Sequence, residues 1–321
     1  MDVFYITLNQ MFTLFSLILL GFVLGKKGIL PKNSDTVMSR LEMYIFLPAL
    51  TLSNLLKNCS VEAFAQNASL ILYGLIFVLV AIILSYPLSA LFVKNIKGNP
   101  DKAYQRNIYK YAMAFGNFGF LGNAIVLSVW GSDMLFKYTM FTFFLSVFCY
   151  SWGLLILTPK EQGEISISAF LKRLMVPAML AIPIGVIGGF LQLERILPSF
   201  IMTILNNASS CMGPTAMILA GYVIAQYDLK EMLFNKKVYI ATFLRLIVIP
   251  TCMLMIMKLL NMHQDVMILV LVSFAAPLGL NTIVYPANYG CDTKTGASMA
   301  MISNTFAVIT IPLLYLLFIV L

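Results

Sequence analysis

The chain has 321 residues, 60% hydrophobic and only 11% charged, with a mean hydropathy of +0.91. That balance excludes an ordinary soluble domain, in which about 25% of residues are charged. The net charge of +8 sits in loops between apolar runs, so it records membrane topology and points to no nucleic-acid partner.

Apolar runs between polar or basic loops predict ten spans, at 8–25, 37–56, 68–93, 108–130, 136–157, 174–192, 199–225, 238–260, 266–289 and 297–320. Lengths near 20 residues suit about 30 Å of hydrocarbon, so the expected fold class is an all-α polytopic membrane protein. Span 1 carries Gly21-x-x-x-Gly25, a spacing that lets helices pack closely or pair as a homodimer. Its positive charges follow it, the reverse of a signal peptide, so it is expected to remain as a span. Span 2 holds Glu42 near its start, then Pro48, Ser53 and Asn54.

Span 4 is interrupted by Phe115-Gly116-Asn117-Phe118-Gly119-Phe120-Leu121-Gly122-Asn123 and ends on Trp130-Gly131-Ser132-Asp133. Span 5 follows, with Ser146. The polar stretch 158–173 then reads as a linker between halves 1–157 and 174–321. Span 6 repeats the small-residue spacing at Gly185 and Gly189, and span 7 contains Asn206, Asn207 and Pro214. Arg245 lies about two turns into span 8. His263, in the next loop, reads as a solvated residue. Span 9 is interrupted by Phe274-Ala275-Ala276-Pro277-Leu278-Gly279-Leu280-Asn281-Thr282 and ends on Tyr289-Gly290-Cys291-Asp292. Span 10 carries Ser303 and Asn304.

Basic residues cluster in alternate loops: Lys26, Lys27 and Lys32; Lys94, Lys97, Lys102, Arg106 and Lys110; Lys160, Lys172 and Arg173; Lys230, Lys236 and Lys237. The other loops hold Lys57, Lys137, Arg195 and Lys258. This bias predicts cytoplasmic basic loops and, with an even span count, both termini outside. The two interrupted segments correspond at an offset of 159 residues, or 158 with Asn123 set against Asn281, and Pro31-to-Pro48 and Pro198-to-Pro214 spacings of 17 and 16 match in order. Five spans per half makes the expected repeat an inverted one, a common construction of secondary transporters.

Breaking a helix at mid-bilayer frees N–H groups on one side and carbonyls on the other. The N–H ends favour an anion, and the carbonyl ends favour a cation or the substrate's own donors. The predicted substrate site is therefore Asn117, Gly119, Pro277 and Asn281, assisted by Asn123 and Thr282. The competing reading gives these residues to close helix packing and cross-helix hydrogen bonds. Arg245 and Glu42 are candidates for coupling or gating because ionisable groups inside spans are costly; snorkelling of Arg245 and pairing of Glu42 with Arg40 or a loop lysine are the alternatives. Asn54 and Asn304 stand between a place beside the substrate path and helix–helix bonding. Cys59, Cys149, Cys211, Cys252 and Cys291 form no disulfide framework or metal cluster. With no phosphate loop or nucleophile elbow, neither an enzyme nor a cofactor is expected.

Gly116-Asn117-Phe118-Gly119-Phe120-Leu121-Gly122 resembles the Gly/Ser-Asn-x-Gly-Phe-x-Gly stretch of the auxin efflux carrier family. Leu47-Pro48-Ala49-Leu50, Arg245 to Pro250, Pro277, Asn281, Tyr289-Gly290-x-Asp292, Ala297-Ser298 and Thr310-Ile311-Pro312 are similar to its pattern as well. Ala124 stands where that family usually has proline. The resemblance implies a ten-helix fold shared in outline with plant PIN carriers and bile-acid symporters. It also implies a scaffold (8–56 and 174–225), a moving elevator domain (68–157 and 238–320), and substrate held by crossing broken helices 4 and 9. The expected function is secondary transport of a small organic anion, such as a carboxylate, across the plasma membrane. Proton coupling, sodium coupling and a potential-driven uniporter stay open, and a membrane sensor or a channel are the alternatives from other classes.

Overall fold

The computed structural model describes residues 2–157, 175–228, 233–279, 281–283 and 293–320. The predicted linker 158–173 and the Tyr289-Gly290-Cys291-Asp292 ending lie outside the described residues, as does Leu280. Among the described residues the regular structure is entirely helical. Helix α1 is Asp2–Lys26, closed by a basic residue in its last turn, which suits the negative end of the helix dipole. Helix α2 covers 34–58 and passes through a widened π-turn at Glu42–Phe46. The cause is Pro48. It offers no N–H to the carbonyl four residues back and crowds that carbonyl, so the turn before it opens. Pro250 does the same in α8 (Lys236–Leu259), where the π-turn is Leu244–Val248.

A short helix, Val61–Asn67, was not expected from hydropathy. The Ser60 hydroxyl caps it, accepting from the Ala63 N–H at 3.0 Å. Helix α3 is Ser69–Phe92. Helix α4 has two pieces, Pro100–Ala114 and 118–130. Its start at Pro100 precedes the predicted residue 108 because 100–107 are polar. The signal there is a cap, Asn99 Oδ1 accepting from the Lys102 N–H at 2.9 Å, followed by proline at the first helical position.

Helix α5, 132–157, begins after Gly131, whose φ of 81° is open to glycine but strained for other residues. The chain reverses there: the Tyr138 hydroxyl donates to the Phe118 carbonyl at 3.0 Å. A straight helix would hold those residues about 30 Å apart. Farther along, the Tyr104 hydroxyl donates to the Leu157 carbonyl at 2.8 Å, so α5 runs back beside the first piece of α4. Further helices among the described residues are α6 (Pro177–Phe190), α7 (Ser199–Ala225), α9 (Gln264–Ala275) and α10 (Lys294–Val320).

Among the described residues six helical stretches are long and apolar enough to cross a bilayer: Leu8–Lys26, Ser69–Phe92, Pro100–Leu157, Ser199–Ala225, Lys236–Leu259 and Lys294–Val320. The Pro100–Leu157 stretch holds both predicted spans 4 and 5, divided at Gly131. Predicted spans 6 and 9 contain helices of 14 and 12 residues. Span 2 carries Arg40 and Glu42, and Lys57 follows it directly.

Much of the packing between described helices falls within two groups, which also touch one another where α1 packs on α10 and where α1, α2 and α7 pack on α4 and α5. In the first, α1 lies along α7, and α2 packs on α6 and α7. Glycine makes these approaches close: a Cβ at Gly21 would run into the Ile218 carbonyl, and one at Gly189 into the Cys59 and Leu55 carbonyls. Both small-residue faces are therefore filled within the chain, by α7 and α2. In the second group α3 packs on α4 and α5, while α8, α9 and α10 pack on one another. The largest fully buried side chains, Tyr109, Tyr111, Tyr138, Phe115, Phe136, Phe141 and Phe274, belong to this second group.

Candidate functional site

The two interrupted segments meet. The first piece of α4 stops at Ala114, and Phe115 is extended at φ −122°, ψ 136°. The backbone turns at Asn117 and resumes as the π-turn Phe118–Gly122, with the Gly122 N–H donating to the Asn117 carbonyl at 3.0 Å. No proline is needed, and Ala124 lies beyond the break. Helix α9 stops at Ala275, and Ala276 leaves the helix at ψ 137°. The Asn117 N–H donates to the Pro277 carbonyl at 2.6 Å, which ties one break to the other. Asn117 also rests on Gly279, whose missing side chain would sit 3.4 Å from the Asn117 Cα.

Pro277 explains the rest of the second break. In a continuous helix its N–H would have bonded to the Ser273 carbonyl, and proline has none. That orphaned carbonyl accepts instead from Arg245 Nη2, at 3.4 Å. Helix α10 braces the loop beyond. Ser303 Oγ accepts from the Leu278 N–H at 2.9 Å, and Asn304 Nδ2 donates to the Ala300 and Leu278 carbonyls at 2.7 and 3.5 Å. The Thr282 hydroxyl, fully buried, donates to the Gly279 carbonyl at 3.3 Å. Asn304 and Thr282 thus hold the backbone that shapes the site.

A pocket opens at the crossing. Gly116, Asn117, Gly119, Asn123, Gly279 and Asn281 line it from the breaks, with Thr142, Ser146 and Cys149 from α5. Leu47 and Thr51 of α2, and Ala178, Met179 and Ile182 of α6, close the opposite wall. Each of the two helix groups supplies one wall. Asn123 Nδ2 donates to the Gly119 carbonyl at 2.6 Å, and Asn281 Nδ2 to the Tyr111 hydroxyl at 2.8 Å. That hydroxyl lies 3.2 Å from Cys149 Sγ. Tyr111 and Cys149 escaped the sequence reading, because one aromatic and one thiol inside apolar helices look like core. A tyrosine within one turn of a helix break is the signal that could have marked Tyr111.

The structure therefore brings Asn117, Gly119, Asn123, Pro277, Asn281 and Thr282 to one place, with Asn304 behind them. Arg245 is buried beside it, 2% exposed. Two other candidates lie elsewhere. Asn54 Nδ2 donates to the Ser132 carbonyl at 2.9 Å, at the turn after Gly131. Glu42 is fully buried in the first group, where its π-turn packs on α7 and α6. Among the described residues neither of its carboxyl oxygens has a hydrogen-bond partner. Asn206 Oδ1 accepts from Lys57 Nζ at 3.0 Å, a bond between α7 and α2. No group of metal-binding side chains occurs among the described residues.

The model of a family described as membrane transport protein matches residues 6–315. An uncharacterized transporter of Methanocaldococcus jannaschii is 25% identical over 305 residues, covering 92% of this chain and 94% of that protein.

Proposed function

We propose that this chain, which belongs to the membrane transport protein family of auxin-efflux-type carriers, moves a small organic anion across a cell membrane by alternating access. The observation that carries the reading is the tie between the breaks, Asn117 N–H to Pro277 carbonyl, at the floor of a pocket with one wall from each helix group. The second piece of α4 begins at the pocket with N–H groups that have no partner one turn back. These dipoles, with the Asn117 and Asn281 carboxamides, favour a carboxylate without a full cation in the wall. A pocket with one wall from each helix group supports an elevator-like motion. The group of α3, α4, α5, α8, α9 and α10 would carry the site past α1, α2, α6 and α7.

Counterflow by the purified protein in liposomes, with a panel of labelled mono- and dicarboxylates, tests this. Saturable exchange is expected for at least one of them. Asn117→Ala and Asn281→Ala should each lower it by about tenfold to a hundredfold, the scale of one buried hydrogen-bonding group lost, with unchanged elution on gel filtration. Wild-type kinetics in both variants would remove the site from the crossing. Flux that rises linearly with anion concentration and shows no counterflow would replace the carrier with a channel.

A further inference from the structure

Arg245 lies on the π-turn of α8, and its guanidinium rests against the crossing from behind. A Cβ on Gly116 would strike both Arg245 Nη2 and the Ala276 carbonyl, so backbone, guanidinium and carbonyl converge on one small space. Nη2 donates to the Ser273 carbonyl, the group that Pro277 leaves without a partner. The side chain is 2% exposed, and its Nε and Nη1 have no hydrogen-bond partner among the described residues. No carboxylate among the described residues forms an ion pair with it. A full positive charge therefore sits at the carbonyl end of a broken helix, separated from the pocket by a residue without a side chain. Carbonyl ends of broken helices are where secondary transporters commonly hold a coupling cation.

We infer that Arg245 is the resident cation of this crossing. It occupies the carbonyl end where a sodium ion would otherwise bind and lends its charge, through the gap left by Gly116, to an anion beside Asn117. This rests on the carrier reading above, and it adds that anion movement needs no sodium and carries net negative charge. Substitution by alanine empties the carbonyl end, which then responds to cations added from solution.

Two measurements on the purified full chain test it. The first is counterflow at clamped membrane potential, with sodium replaced by choline. Wild-type rates should agree within about twofold, whereas a cation acting by mass action over a hundredfold concentration range would move them much more. Sodium-dependent wild-type flux overturns the inference. The second is thermal unfolding of wild type and Arg245→Ala in sodium, guanidinium or tetramethylammonium chloride at equal ionic strength. Millimolar guanidinium should raise the midpoint of Arg245→Ala by about 2 °C or more and leave the wild type unmoved. Equal responses of the two proteins overturn it. Should Arg245→Ala fail to fold, Arg245→Lys keeps the charge and should retain sodium-independent counterflow; sodium dependence in that variant counts against the inference. If no carboxylate exchanges at all, the carrier reading fails, while the guanidinium response still decides the place of Arg245.

Discussion

The two breaks that meet at the pocket solve one problem with different chemistry. The break at 115–117 uses glycine and an extended phenylalanine; its Asn117 N–H crosses to the Pro277 carbonyl, but two other amides bond within α4. The Phe115 N–H returns to the Tyr111 carbonyl at 2.8 Å, and the Gly122 N–H to Asn117. The break at Pro277 orphans a carbonyl and depends on residues from elsewhere: Arg245 of α8, and Ser303 and Asn304 of α10. A break made by proline is fixed in place but needs outside support. One made by glycine draws more of its bonds from its own helix but can be lost by filling a small space. The first should be sensitive to volume and the second to lost polar partners.

The largest effect on this contrast is expected from Gly116→Ala. Its methyl group would meet the Ala276 carbonyl, which is backbone and cannot swing aside, as well as the Arg245 guanidinium. Overpacking of this kind costs about 1–3 kcal/mol and would push the two breaks apart. Thermal unfolding should fall by several degrees, and counterflow should drop below detection. Gly119→Ala is the control for thermal unfolding alone, because nothing lies within 4 Å of the Cβ it would add, while that methyl would enter the pocket. An equal fall in thermal unfolding for both variants would break the contrast, since volume at the crossing would then not be the cause.

Ser303→Ala probes the other side. It leaves the buried Leu278 N–H without its acceptor, at a cost of about 1–3 kcal/mol. Ser303→Thr keeps the hydroxyl and should recover most of the loss. Hydrogen exchange would show whether damage stays at the second break: the amides of Ala276, Leu278 and Gly279 should lose protection, while those of 118–122 should not. Loss spread equally over both would mean the breaks behave as one unit.

Much of this arrangement was legible in the residues. Glycine and asparagine inside apolar runs marked the breaks, and Pro277 marked where the second one falls. Long apolar runs marked most of the helices. Less legible was everything that depends on which helix stands behind a break. Arg245 was open between snorkelling and function because depth along a helix does not say what its side chain meets. Only the neighbouring α9 shows the carbonyl orphaned by Pro277. Asn304 and Ser303 had no local mark, since their partner Leu278 is 26 and 25 residues away. Ala124, standing where proline was expected, left the sharpness of the first break open. The break lies upstream of it, at Phe115 to Asn117, and the Ala124 methyl packs 3.4 Å from the space beside Gly213 of α7.

Tyr111 is the point at which the two breaks share a side chain, and it offers the finest test of their difference. It belongs to the helix that ends at the first break, yet its hydroxyl accepts from Asn281 of the second, at 2.8 Å. Tyr111→Phe removes that link and leaves the ring, which is packed against Phe115 with centroids 5.2 Å apart. Among the described residues Asn281 Nδ2 then keeps the longer contact to Cys149 Sγ at 3.5 Å. The expected cost of about 0.5–1.5 kcal/mol corresponds to a severalfold change. It should appear in the half-saturating concentration for counterflow, with the maximal rate nearly kept, because the aim of a pocket carboxamide is altered while the crossing stays intact. A fall in maximal rate at unchanged half-saturation would place Tyr111 in the movement of the helices instead, and would make the bond across the breaks part of the mechanical linkage.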